Sequence, residues 1–457
     1  MTSIVRLASN ANPICGATLV IILAAMVVEG ANTPAAAALL SGALLATLFV
    51  SILTLPSSVM GQILASNRVP AAAATAFVVL AALSAAPLQS PDLAARFAHP
   101  LAPAFQWLRP SMSLAPTNTI EGLIAFLGPL TAFVLGALAS LRHSRSVVSA
   151  WLCALTVVYA LYALSQYFAG QADARLDAHI GSANAAAALF GALAIFACAR
   201  VIGKAGPRNG PERAPRHMPR ALNWVAASLR APLATAAFAL AVACALLTAS
   251  RGGLAATGIG FGAFVGLLAL RASGARRTLI LAPALALGAL GLWFIAMGAD
   301  PVLGRFGDVG AALEGRQELL APHWQAFLSR PLLGHGLNTF HDLNAMAITP
   351  DNWDSLRIVG AAHNIYVQAL EETGVIGLAL FVLMVAPPLW RALESAVMDK
   401  SAPHWSAALY GASLLFLVHG VMDFTLQIPA IAALFAFCLG AFSNPAVRQH
   451  RQQNGSF

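Results

Sequence analysis

Residues 35–55 read AAAALLSGALLATLFVSILTL, twenty-one positions without a charged side chain. A helix of roughly 17–25 such residues crosses about 30 Å of hydrocarbon. In lipid its backbone groups are satisfied inside the segment, which leaves the helix as the only local solution. About twelve runs of this kind recur, near 14–29, 35–55, 70–87, 119–141, 147–168, 183–203, 232–249, 253–270, 278–299, 374–390, 405–424 and 427–443. The whole chain of 457 residues is 59% hydrophobic and 10% charged, with a mean hydropathy of +0.74. Such a composition cannot supply a water-facing surface. The expectation is an all-α polytopic membrane protein of about twelve transmembrane helices. Residues 1–457 form a single integral membrane domain in this reading. The first run has only Arg6 before it and no small-residue cleavage site after Glu29, so it is read as a retained helix. Cys15, Cys153, Cys198, Cys244 and Cys438 all fall inside apolar runs without Cys-x-x-Cys spacing, and read as core residues.

Charge orients the chain. With the N-terminus inside and the loops alternating, eighteen of the 26 lysines and arginines fall on the inner side and eight on the outer. Fifteen of the 18 acids fall on the outer side. The positive-inside rule then makes both termini cytoplasmic. The isoelectric point near 9.8 follows from a basic cytoplasmic loop at 204–231, which suits anionic lipid heads better than nucleic acid. The outer side has a Pro-rich loop at 88–118 with Phe97, Phe105 and Trp107, a short loop at 169–182, and a large loop at 300–373 able to hold short helices.

Four constellations on the outer side stand out. Ser250-Arg251-Gly252-Gly253 joins two apolar runs. Arg251 is either an interfacial arginine with its head in water or a clamp for a diphosphate, since a guanidinium matches phosphate oxygens and the glycines let backbone N–H groups approach. Arg316 opens a helical stretch that continues to His323-Trp324, and the glycines of Pro331–Phe340, Gly334 and Gly336, mark a closely packed turn. His363-Asn364 precedes Tyr366, Gln368, Glu371 and Glu372; His363 is either structural or a general base near pH 7. His419 and Asp423 stand at i,i+4 near the outer end of a membrane helix, the spacing of one helical turn. No Asp-x-Asp, His-Glu-x-x-His or cysteine cluster signals a metal site, and neither a P-loop nor Gly-x-Ser-x-Gly is present.

Together, Ser250-Arg251-Gly252, Arg316, the Pro331–Phe340 turn, and His363-Asn364 followed by Tyr366, Gln368, Glu371 and Gly374 resemble the O-antigen ligase and O-antigen polymerase family. His419, Asp423-Phe424 and Pro429 are similar to a pattern near that family's last two helices, and Ser113, Thr117 and Thr119 to a further family feature. The resemblance covers roughly 250–430. In one departure, Leu320 stands where many members place a tryptophan four residues after the arginine, and Trp324 follows one turn later.

The resemblance implies a bacterial inner-membrane enzyme with its active site facing the periplasm. It implies transfer of a glycan from undecaprenyl diphosphate to an acceptor hydroxyl, with inversion and without metal or cofactor. The donor is then an undecaprenyl-diphosphate-linked glycan, and the acceptor lipid A-core or a growing polysaccharide; membrane lipids surround the chain and no nucleic acid takes part. Arg251 and Arg316 would stabilise charge growing on the leaving diphosphate, and His363 would act on the hydroxyl. Asn364, Tyr366, Gly252, Gly334, Gly336, His419 and Asp423 are the candidate substrate-binding residues. Ligation to lipid A-core is the leading expectation. Repeat-unit polymerisation and protein O-glycosylation remain alternatives, and a lipid or polysaccharide transporter is the rival from another class.

Overall fold

A computed structural model of the chain describes residues 13–54, 57–100, 110–142, 145–170, 175–205, 229–271, 309–398 and 403–443. Every regular element among the described residues is helical. In chain order they are α1 (Pro13–Val27), α2 (Pro34–Thr54), α3 (Ser57–Ser66), α4 (Arg68–Ala85), α5 (Pro91–Phe97), α6 (Pro116–Arg142), α7 (Arg145–Ala169) and α8 (Ala183–Ala205). There follow α9 (Pro232–Leu247), α10 (Arg251–Ala269), α11 (Val309–Ser329), α12 (Phe340–Ala347), α13 (Trp353–Leu356), α14 (Ile365–Met398), α15 (Pro403–His419) and α16 (Pro429–Ser443). Helices α2, α4, α6, α7, α8, α10 and α14 are long and apolar enough to cross a membrane, and α1, α9 and α16 are shorter apolar helices. The chain is an all-α polytopic membrane protein. The expected run at 278–299 lies outside the described residues, as do most of the 204–231 loop and Phe105 and Trp107 of the 88–118 loop.

Small residues set the packing. Helix α8 lies at the centre, with Ala185, Ala186, Ala187 and Ala188 fully buried. Gly136 of α6 packs on the Phe437 carbonyl while Gly440 of α16 packs on that of Phe133; Gly260 of α10 and Gly411 of α15 meet in the same way. Without a hydrophobic drive between helices in lipid, such backbone approach supplies the contact energy. Outward faces carry Leu39, Phe49 and Leu53 on α2 and Val158 and Leu161 on α7, all exposed, as a lipid-facing surface requires.

The loops that the charge count assigns to one side gather at one end of the bundle. Asn32 donates to the Ile180 carbonyl at 3.3 Å, Leu176 N–H to the Leu247 carbonyl, Ile365 N–H to the Gly420 carbonyl, and Leu114 N–H to the His335 carbonyl. At the opposite end Arg200 donates to the Ser149 hydroxyl at 2.7 Å, Arg145 to Ser406, Arg271 to the Ala396 carbonyl and Arg391 to Asn67. Those arginines tie neighbouring helices together besides carrying charge.

Two boundaries differ from expectation. Helix α14 begins at Ile365, not at the apolar run near 374, because its polar first turns are buried against other parts of the protein. Asp423 lies beyond the end of α15 at His419, so the i,i+4 spacing is not a shared helix face. The chain turns at Gly420, whose carbonyl is taken by Ile365 N–H.

Candidate functional site

The Pro331–Phe340 turn is built into a break in α14. Gly374 takes φ 64° and ψ −174°, which interrupts the helix and frees backbone groups on both sides. The turn takes up those groups. His335 and Gly336 N–H donate to the carbonyls of Glu371 and Glu372 at 2.8 Å each, and Val375 N–H donates to the Pro331 carbonyl at 2.9 Å. Gly334 is itself at φ 67°, and a Cβ there would lie 2.5 Å from the Glu372 carbonyl group. The space beside Gly336 is filled by the Ser113 and Thr119 hydroxyls, which bond each other at 2.8 Å. Thr119 also donates to the Leu337 carbonyl. The geometry therefore gives Gly334 and Gly336 packing roles on these sides.

The same stretch of α14 docks the large loop through side chains. His323 Nδ1 lies 2.7 Å from Glu371 Oε2, with both side chains almost wholly buried, and the imidazole stacks on Phe340 at 4.6 Å. Glu372 accepts from Asn338 N–H at 2.9 Å and from Gln368 Nε2 at 3.0 Å; Gln368 Oε1 accepts from Ala362 N–H. Buried carboxylates are costly unless so partnered. Position 316 stands two helical turns before His323 on α11. Helix α11 meets α14 in the same chain sense, with His323 at Glu371 and Pro331 at Val375. Going back along α11 therefore leads toward the start of α14, where His363 sits. The Arg316 side chain itself lies outside the described residues.

His363 occupies the turn into α14 at φ 50°. Its ring meets Phe424 edge-on at 5.1 Å. Asn364 caps α14, its Oδ1 accepting from Tyr366 and Val367 N–H at 3.0 and 3.1 Å. The Tyr366 hydroxyl donates to the Leu417 carbonyl at 2.7 Å. Asn364 thus caps α14 and Tyr366 fixes its start against α15. In the following turn His419 Nδ1 lies 2.9 Å from the Thr425 hydroxyl. Asp423 Oδ1 accepts from Phe424 N–H, while its buried Oδ2 makes no hydrogen bond among the described residues.

Met422 in this turn lies beside Gly252, and that contact brings the Arg251 segment to the His363 segment. Ser250 caps α10 by accepting from Gly253 N–H at 3.1 Å, and Arg251 is half-buried at the helix N-terminus. The 420–424 turn therefore touches both Gly252 and His363, with Asp423 within it and His419 just before it.

Three partnerships were not read from the sequence: His323 with Glu371, the network around Glu372, and His99 with His335. The last joins the 88–118 loop to the turn. His99 Nε2 lies 2.8 Å from His335 Nδ1, while His335 Nε2 lies 2.8 Å from the Ala326 carbonyl. Burial, with Arg330 and His335 adding repulsion, holds His99 down to about 3, and burial lowers His335 as well. Arg330 donates to the Met112 carbonyl at 2.7 Å. The seven-residue step from Arg316 to His323 was the one sequence signal for His323. A cavity between α4 and the turn, lined by Phe77, Met112, Leu337 and Glu372 together with the candidates Gly334 and Gly336, shares no lining residue with the His363 and Arg251 group.

Residues 236–382 match the O-antigen ligase family. The chain is also 26% identical over 219 residues to the exopolysaccharide production protein ExoQ of Rhizobium meliloti (strain 1021), covering 46% of this chain and 50% of that protein. The chain spans half the length of that relative. The family match contains Arg251, Arg316 and His363 and ends before His419 and Asp423. The ligase and polymerase resemblance read from the motifs stands on both findings.

Proposed function

We propose that this chain, whose residues 236–382 are of the O-antigen ligase family, transfers a glycan from undecaprenyl diphosphate to an acceptor hydroxyl. The reaction takes place at the periplasmic face of a bacterial inner membrane, with both termini cytoplasmic. The observation that carries this reading is the convergence of Arg251-Gly252 and His363-Asn364 on the 420–424 turn at one end of the bundle. That arrangement supports a split of labour. The acceptor oxygen attacks the anomeric carbon as the bond to the diphosphate oxygen breaks, and the leaving group keeps the electron pair. Arg251, the N-terminus of α10 and Arg316 stabilise that growing charge. His363 takes the hydroxyl proton and later passes it to water. A single displacement of this kind inverts the anomeric centre.

Ligation to lipid A-core is the leading acceptor assignment. Repeat-unit polymerisation is the second reading, favoured by the relative whose name is exopolysaccharide production protein. The test is transfer by purified protein in detergent from an undecaprenyl-diphosphate-linked glycan to lipid A-core, to a second donor molecule, or to a hydroxyl-bearing peptide. Product is expected without a sealed membrane, whereas a transporter forms none. His363→Ala is expected to lower turnover at least a hundredfold, about the minimum for losing a general base. Undiminished turnover in folded His363→Ala overturns its assigned role.

A further inference from the structure

Two cations meet at the end of the bundle opposite the candidate site. Arg391 follows the apolar run 374–390 of α14, and Arg68 precedes the run 70–87 of α4. Both therefore stand where hydrocarbon gives way to lipid head groups. Arg391 is half-buried, and its Nη2 donates to Asn67 Oδ1. Asn67 is 4% exposed, and its Nδ2 donates to the Ile63 carbonyl at 2.9 Å, which holds the oxygen toward α14. The Arg391 guanidinium is thus fixed beside the first residue of α4, which is Arg68 itself.

Protein does not balance these charges. Among the described residues no carboxylate lies within 4 Å of either guanidinium. Glu394, one turn beyond Arg391, is exposed and pairs with neither. The first turn of α4 has no acid and no side-chain cap, so its N-terminus adds positive potential. An arginine at this depth ordinarily carries its head out to water on its stem. Arg391 instead spends one donor on a buried asparagine and stays next to a second cation. Two cations brought to one junction repel unless an anion joins them. Trp390 is exposed on the same helix, at the level where indole rings sit among head groups.

We infer that Arg68 and Arg391 form a site for the phosphate of an anionic phospholipid, seated between α4 and α14. Net charge decides the class of lipid. Two guanidinium groups without a carboxylate partner match a head group of net negative charge; a zwitterionic lipid would bring an ammonium with only the exposed Glu394 to meet it. The lipid joins the ends of two helices that also pack through Phe77 and Phe381, with ring centroids 4.6 Å apart.

Native mass spectrometry of the full chain, released from detergent containing phosphatidylglycerol or phosphatidylethanolamine, reads the binding. Wild-type protein is expected to prefer phosphatidylglycerol. In Arg391→Gln, which keeps an amide donor toward Asn67, phosphatidylglycerol affinity falls about tenfold, the scale of one charge-assisted hydrogen bond. Phosphatidylethanolamine changes less, so the preference narrows. Arg68→Gln is expected to act in the same way, and serves if Arg391→Gln does not fold. Arg230→Gln removes an exposed cation at the same end, beside Ala231 in the cluster of Cys153 and Ala197, and should leave the preference unchanged. Equal retention of both lipids by wild type overturns the inference. So does a loss in Arg230→Gln as large as in Arg391→Gln, which shows only the general attraction of a basic surface. Inorganic phosphate added in excess is expected to leave the lipid bound; displacement marks a site for free phosphate and overturns the lipid assignment.

Discussion

Removing one member of the buried His323–Glu371 pair tests how the large loop is held on the membrane helices. The two side chains are 1% and 0% exposed and meet at 2.7 Å. His323→Ala leaves the Glu371 carboxyl in the same enclosed position without that partner, and Glu371 Oε1 already has no hydrogen bond among the described residues. Breaking a buried pair in this way costs about 3–5 kcal/mol. Replacing both members with apolar residues of similar size removes the stranded group, so His323→Leu with Glu371→Leu is expected to recover most of that loss. A double-mutant cycle on purified protein, followed by denaturation in mixed detergent, reads the coupling directly. Because α11 also carries position 316, His323→Ala should lower glycan transfer, and the double leucine variant should restore much of it. Two single substitutions costing below about 1 kcal/mol each and adding without coupling would refute the account.

Two further outcomes follow from the turn. Gly334→Ala forces a side chain into φ 67° and against the Glu372 backbone, costing about 1–2 kcal/mol for the dihedral and about 1–3 kcal/mol for the overlap. Gly262→Ala in α10 meets open space and is expected to stabilise by about 0.5–1 kcal/mol; equal melting temperatures for the two variants contradict this. For His99, held down to about 3 in the folded protein, the ordinary value near 6.5 applies to the unfolded chain. Above that value both states are neutral there and pH has no leverage. As pH falls from about 6.5 toward 3 the unfolded chain takes the proton and the folded chain does not. Stability is therefore lost across that window, by at most about 1.4 kcal/mol per pH unit for one proton. His99→Gln keeps a donor toward His335 and should flatten the acid limb of the melting profile; an unchanged limb rejects this assignment.

The membrane helices were legible because hydropathy alone decides them. Other features were hidden for identifiable reasons. Gln368, Glu371 and Glu372 look like loop chemistry in sequence, yet their partners are Ala362, His323 and Asn338, which no local pattern connects to α14. Asn364 and Tyr366 were read as substrate contacts, since polar residues beside a candidate base invite that reading. The hydrogen bonds they make hold the start of α14. His99 and His335 are 236 positions apart, so their contact is a property of the packed fold. Asp423 left the helix face because Gly420 ends α15 one turn earlier than the apolar run suggested.

The broken helix also bears on how the chain is made. Helix α14 cannot satisfy its own backbone around Gly374, and the segment that completes it, Pro331–Gly336, lies earlier in the sequence. A ribosome delivers the patch before the helix that needs it. When α14 emerges, the groups that bond its interrupted middle have already been made. Moving Pro331–Gly336 behind α14 by circular permutation would keep every residue and reverse that order. The break would then have to enter the membrane before its partner was made.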